Sequence, residues 1–225
     1  MSGIKILSTI GMRTVLEEVT PAFERANGVA VMRVYDSSIA LMKRIAAGET
    51  GDAAVFTAGA IDELIARGKI ATRIDLTRSF VGIAVRKGAP RPDISTRDAF
   101  KNTMLAARSI ARSETGASGL YFAGLIERLG LAQALDPKII VQDGIVGRIA
   151  ARGEAEIAVQ QISELMQADG IDIVGPLPDE LQSITVFSGG VFKGTAAADL
   201  ARAYVAHLAS PEFTAVIRAK GMEPA

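Results

Sequence analysis

The residues equipped for chemistry gather in four turns of one type. They are Ser8-Thr9-Ile10-Gly11-Met12, Tyr35-Asp36-Ser37-Ser38, Ser113-Glu114-Thr115-Gly116-Ala117-Ser118-Gly119 and Asp143-Gly144-Ile145-Val146-Gly147. Each is rich in small or hydroxyl residues and stands before a segment of helical period. A helix N-terminus presents unpaired N–H groups and about half a positive charge. Glycine lets a ligand approach the backbone, and Ser or Thr adds a neutral donor. The chemistry this suggests is the holding of a small anion by dipoles rather than by a cationic cage. The same residue types are preferred helix caps, so one such turn says little. Four of them, two in each set of elements described below, say more.

What is missing narrows the field further. There is no cysteine, which excludes thiolate nucleophiles, disulfides and cysteine zinc sites. The single histidine, His207, leaves no room for a multi-histidine metal site and argues against a Ser-His-Asp triad. Neither a metal nor another cofactor is expected. The 25 basic and 25 acidic residues cancel, so the chain lacks the basic footprint of a nucleic-acid binder. At 49% hydrophobic and 22% charged residues it reads as globular, and no apolar run is long enough to span a membrane.

The elements that position these turns follow a β-α rhythm. Strands are expected at Ile4–Leu7, Ala30–Val34 and Ala53–Phe56, alternating with helices at Arg13–Ala26, Ser38–Ala47 and Ile61–Arg67. In the first helix Val15, Leu16, Val19 and Phe23 share a face. The rhythm resumes with a strand at Phe80–Val85, a helix at Arg97–Ala106, a strand at Ser109–Ala111 and a helix at Gly119–Leu129. Strands at Ile139–Val141, Ile157–Val159, Ile171–Val174 and Ile184–Phe187 continue it, with helices at Val146–Arg152 and Ser163–Ala168. Helices at Thr195–Ala209 and Glu212–Lys220 close the chain. Two α/β sets without a flexible linker imply parallel strands, two lobes and a ligand cleft between them at the carboxyl ends of the strands.

Weaker signals lie outside the turns. Gly189-Gly190-Val191-Phe192-Lys193-Gly194-Thr195 has the glycine spacing of a phosphate loop but Thr195 where that motif needs lysine, and reads as a turn. His207 reads as a solvated surface residue. One amide of Gln160-Gln161 is a candidate to enter the cleft, the alternative being that both cap a strand end. Arg13, Arg112 and Arg148 each stand beside a turn and could pair with a carboxylate.

Several segments together resemble the molybdate-type solute-binding proteins of ABC transporters. They are Leu16-Glu17-Glu18-Val19 through Phe23-Glu24 and Gly28-Val29; Tyr35-Asp36-Ser37-Ser38-Ile39-Ala40-Leu41 with Ile45-Ala46-Ala47-Gly48 and Asp52-Ala53-Ala54-Val55-Phe56; Gly116-Ala117-Ser118-Gly119-Leu120-Tyr121; and Gly153-Glu154-Ala155-Glu156-Ile157-Ala158-Val159. The order and spacing are the specific part, and they cover nearly the whole chain. The resemblance implies an α/β, two-lobed type II periplasmic-binding-protein fold with two crossing strands. Residues 1–80 and 186–225 would form one lobe and 81–185 the other. It also implies an oxyanion held by neutral donors, with Thr9, Gly11, Met12, Ser37, Ser38, Ala117, Ser118, Val146 and Gln161 as ligand-binding residues; Arg112, beside the third turn, joins them as the expected charge partner.

Two positions depart from the family pattern. Gly11 stands where a serine is expected, removing a hydroxyl and leaving space; Gln161 stands where a tyrosine is expected. An amide both donates and accepts, which suits a carboxylic acid better than a bare tetrahedral oxyanion. Together with Val159-Gln160-Gln161-Ile162-Ser163-Glu164-Leu165 and Gly175-Pro176-Leu177-Pro178, this looks like a divergent branch of the family. The expectation is a monomeric solute-binding protein for a small organic anion, without catalysis. An ABC-transporter permease is its expected partner. It would be periplasmic if a leader precedes Met1 in the native protein and cytoplasmic if Met1 is the native start. The alternative is an isomerase of an unsaturated carboxylate such as aconitate, with Glu114 as the proton carrier.

Overall fold

A computed structural model describes residues 3–225. The chain divides into two compact units. One ends at Ser79 and resumes at Thr185; the other is Phe80–Ile184. The chain leaves the first unit within strand β4 (Ile74–Arg86) and re-enters it within β9 (Ile184–Val191).

Unit one is built on β1 (Gly3–Thr9), which pairs in parallel with β2 (Ala30–Asp36) and with β3 (Ala53–Thr57). β9 joins β3 antiparallel, and β10 (Met222–Pro224) joins the first half of β4 antiparallel. The period-two pattern decides which side chain enters which core. Ile4 and Ile6 of β1 and Ala53 and Val55 of β3 face α1 (Arg13–Asn27), α9 (Ala198–Leu208) and α10 (Thr214–Ala219). Leu7, Ala54 and Phe56 face the other way, onto α2 (Ser38–Ala46) and α3 (Ala58–Ala66). A buried hydrogen bond of 2.7 Å between Thr20 and Tyr204 pins α1 to α9.

Unit two repeats the scheme. β5 (Ile110–Arg112) pairs in parallel with β6 (Ile139–Val141) and β7 (Ile157–Gln161). β7 and β8 (Ile171–Pro176) both run antiparallel to β4. Val81, Ile83, Val85, Ile157 and Val159 pack on α4 (Arg97–Ala106), α5 (Ala117–Arg128) and α6 (Ala132–Leu135). Ala84, Ala111 and Ala158 face α7 (Gly147–Ala151) and α8 (Ile162–Leu165).

Three sequence expectations need correction. Gly189 and Gly190 belong to β9, not to a turn. A Cβ on Gly190 would fall 2.6 Å from Ile70 Cγ2, so the glycines serve close packing. His207 is not a solvated surface residue: its Nε2 lies 3.1 Å from the Val19 carbonyl and its ring sits between Phe23 and Phe213. Gln160 and Gln161 lie within β7, both buried, rather than after it.

Candidate functional site

In unit one, the turn after β1 is a short 3-10 segment, Ile10–Met12, leading into α1. Thr9 ends the strand and is 6% exposed. The space expected at Gly11 is not open: a Cβ there would lie 2.7 Å from Cζ of Phe187. The missing hydroxyl is replaced by an aromatic edge. Met12 is also not a ligand side chain. It is buried in the core, and its sulfur accepts from Thr77 Oγ1 at 3.3 Å. Arg13 stacks over the Tyr35 ring at 4.9 Å.

The second turn caps α2. Ser37 Oγ accepts from Ala40 N–H at 3.1 Å, the N-cap bond expected of a serine here. Ser38 Oγ accepts from Thr57 N–H at 3.3 Å, tying α2 to the start of α3. The Ser38 hydroxyl, which accepts one bond, still has a proton to donate. A groove of about 530 Å³ opens beside Ser38, lined in part by Met42, Thr57 and Gly59. Another, of about 410 Å³, lies by the amino-terminal half of β1 around Lys5, Glu49, Asp52 and Lys193. It contains none of the expected site residues, and its Lys5–Glu49 pair is closed at 2.9 Å.

In unit two, the third turn is rigid. Gly116 N–H donates to Ser113 Oγ at 2.9 Å, and Thr115 donates to Asp143 Oδ1 through N–H (3.2 Å) and Oγ1 (2.8 Å). The third and fourth turns are thereby joined. Gly119 lies so close to Ser113 that a Cβ would meet its carbonyl oxygen at 1.9 Å. α5 then begins at Ala117, and its first N–H groups have no partner within the helix. Ser118 in that first turn is fully buried, and its Oγ has no hydrogen-bond partner among the described residues. Arg112 Nη1 donates to the Ser113 carbonyl at 3.1 Å, close to the turn. Glu114 is exposed at its crest, and Arg148 is exposed on α7.

The fourth turn departs from expectation. Val146 is buried and its N–H is already donated to Gln160 Oε1 at 2.9 Å, so it does not offer that proton to a ligand. Gln160 Nε2 donates to the Gly144 carbonyl at 2.7 Å. This amide therefore holds the turn, and α7, only five residues long, contributes no strong helix dipole.

The sequence reading passed over Glu164. It occupies the third position of α8 and is 8% exposed. Its carboxylate accepts from the N–H of Gln161, the residue before the helix, as in a capping box, and from the Gln160 side chain. Its Oε2 is buried without a partner among the described residues. Burial, only partly offset by those two bonds, pushes the carboxyl up to about 7. The available sequence signal was its place three residues after the strand end; its burial could not be read from the sequence. Among the described residues no cluster of three or more His, Asp or Glu is placed to hold a metal, and no helix is long and apolar enough to cross a membrane.

Two units on mixed sheets, each with donor turns at the carboxyl ends of parallel strands, define a type II periplasmic-binding-protein fold. The chain belongs to the bacterial extracellular solute-binding protein family, which it matches over residues 4–223. It is 38% identical to an aconitate isomerase from a Pseudomonas species, over all of this chain and 88% of that protein. Among solved structures it is similar to the periplasmic molybdate-binding protein of Azotobacter vinelandii, with 19% identity, TM-score 0.81, and 97% and 98% of the two chains covered. It is also similar to the sulfate-binding protein SubI of Mycobacterium tuberculosis, with 17% identity, TM-score 0.78, and 100% and 88% covered.

Proposed function

We propose that this protein binds a small organic carboxylate and isomerises an unsaturated one of the aconitate type. The observation that carries the reading is the 38% identity to an aconitate isomerase across the full length of the chain. In this reading Thr9, Ser37 and Ser38 are the ligand-binding residues of unit one, and Ala117, Ser118 and Gln161 those of unit two. Arg112 supplies charge. The Phe187 ring packed at Gly11 supports the choice of ligand, because it stands where a hydroxyl donor for a tetrahedral oxyanion is missing. The buried Ser118 hydroxyl supports it too, since a buried donor left without a partner costs about 1–3 kcal/mol, which a bound carboxylate would remove.

The reaction needs little equipment. A proton leaves a methylene carbon beside the double bond, the double bond moves, and a proton returns at the far carbon. Composition is unchanged, and one or two acid–base groups suffice. Glu114, exposed at the crest of the third turn, is the proton carrier in this reading.

Incubation with trans-aconitate in D2O tests it directly. Formation of cis-aconitate carrying deuterium, slowed at least about 100-fold in Glu114→Gln, is the expected outcome. The family match favours a second reading, solute binding without turnover. Tight trans-aconitate binding with no product would select it.

A further inference from the structure

We propose that Glu164 is a protonatable positioning residue that sets the anion-binding conformation of the fourth turn through Gln160 and Gln161. The geometry forms a short relay. The carboxylate of Glu164 accepts from the Gln160 side chain and from Gln161 N–H. Gln160 in turn grips both sides of the fourth turn, donating to the Gly144 carbonyl at 2.7 Å and accepting from Val146 N–H at 2.9 Å. One carboxyl thus governs the residue standing at the family's tyrosine position and the turn beside it.

The relay is buried, and among the described residues no cation is placed to balance it. β7 carries no charged side chain. On β8 the one charged residue is Asp172, whose Oδ2 accepts from Gly88 N–H at 2.8 Å. On α7 it is Arg148, which is exposed, and on the unit-two part of β4 it is Arg86, also exposed. Asp143 is held by Thr115. Burial and the two amides are what act on Glu164, and its carboxyl lies near 7.

Protonation changes the relay in a definite way. The bonds the carboxyl accepts from the Gln160 side chain and Gln161 N–H weaken from charge-assisted to neutral, and Oε2, which has no partner among the described residues, becomes an O–H donor. That loosens the Val146 N–H, and it also removes a buried negative charge from beside Gln161. Both changes favour a bound anion. By linkage, an anion bound there favours the protonated acid, and its affinity falls as pH rises through the titration.

The test has one arm that needs no ligand, so the functional reading above can fail without deciding this one. In 15N-labelled protein between pH 5.5 and 8.5, the amide signals of Val146 and Gln161 and the side-chain amide of Gln160 move together with a midpoint near 7. In Glu164→Gln they stay still. Flat signals in the natural protein, or the same titration in Glu164→Gln, would overturn the proposal; should the variant not fold, the natural protein's own titration decides. The ligand arm, which rests on the carboxylate reading, is calorimetry with trans-aconitate. Affinity falls about tenfold over this range, and Glu164→Gln removes that part of the slope, the ligand's own ionisation being common to both proteins. Binding with identical slopes in the two proteins would overturn the link to the ligand. Absence of binding at every pH would sink the carboxylate reading and leave the relay to be judged on the amide signals.

Discussion

The two units carry turns of the same composition but use them differently. In unit one, Ser37 caps α2 and Ser38 braces α3, while the gap at Gly11 is filled by Phe187. The serines there do structural work first, although Arg13 Nε, Thr14 Oγ1 and Tyr35 OH beside the same turns are buried with no hydrogen-bond partner among the described residues. In unit two, the third turn is equally well tied by Ser113 and Thr115, yet Ser118 Oγ, and on α8 Glu164 Oε2, are buried without partners among the described residues. Buried polar groups are nearly always satisfied, and in the function proposed above Ser118 is where the ligand would supply the missing partner. Capping and binding draw on the same residue types, and what separates them is an unused hydrogen-bond position.

Breaking the third turn is the harshest test of the contrast. Gly119→Ala puts a methyl 1.9 Å from a backbone oxygen that cannot move aside. We expect a loss of more than about 3 kcal/mol in urea unfolding, or no folded protein.

Glu164→Gln comes next, with a sign that depends on pH. The folded carboxyl lies near 7 against a usual 4.5, so it costs nothing below pH 4.5, where both states are protonated. The cost grows as pH rises from 4.5 to 7 and is complete above 7. The amide lacks that cost, so the variant should match the natural protein at pH 4.5 and be more stable at pH 8 by on the order of 3 kcal/mol, measured by denaturant titration at each pH.

Gly11→Ser should cost about 1–3 kcal/mol through the Phe187 contact. Adding Phe187→Leu should recover part of it, a coupling read from a double-mutant cycle. Full additivity would show that the ring does not define this wall.

The smallest effects sharpen the comparison most. Ser37→Ala should lower stability by about 1 kcal/mol, the usual worth of a serine cap. Ser118→Ala should leave stability unchanged or slightly raised, because it deletes a hydroxyl with no partner.

The sequence revealed the elements well where hydrophobic period was clean. Arg97–Ala106 and Ile139–Val141 match residue for residue. It was less informative where tertiary packing overrides local pattern. β4 begins at Ile74, six residues before the expected Phe80, because Asp75 and Thr77 look like loop residues until Ser188 and Met12 are there to bond them. The four turns were legible as donors, but their partners were not: Gln160 reaching Val146, Phe187 reaching Gly11 and Thr115 reaching Asp143 are all long-range contacts. Glu164 looked like an ordinary polar residue of a short helix, since nothing local says that a carboxyl is buried.

The central claim is that the unpartnered donor of unit two receives an organic carboxylate. Calorimetry of the natural protein and Ser118→Ala with trans-aconitate and with molybdate tests it most directly. We predict trans-aconitate binding that Ser118→Ala weakens by about 1–3 kcal/mol, roughly 5- to 150-fold, with no tight molybdate binding to either protein. Submicromolar molybdate binding with no heat from trans-aconitate, or trans-aconitate binding unchanged in Ser118→Ala, would contradict the account.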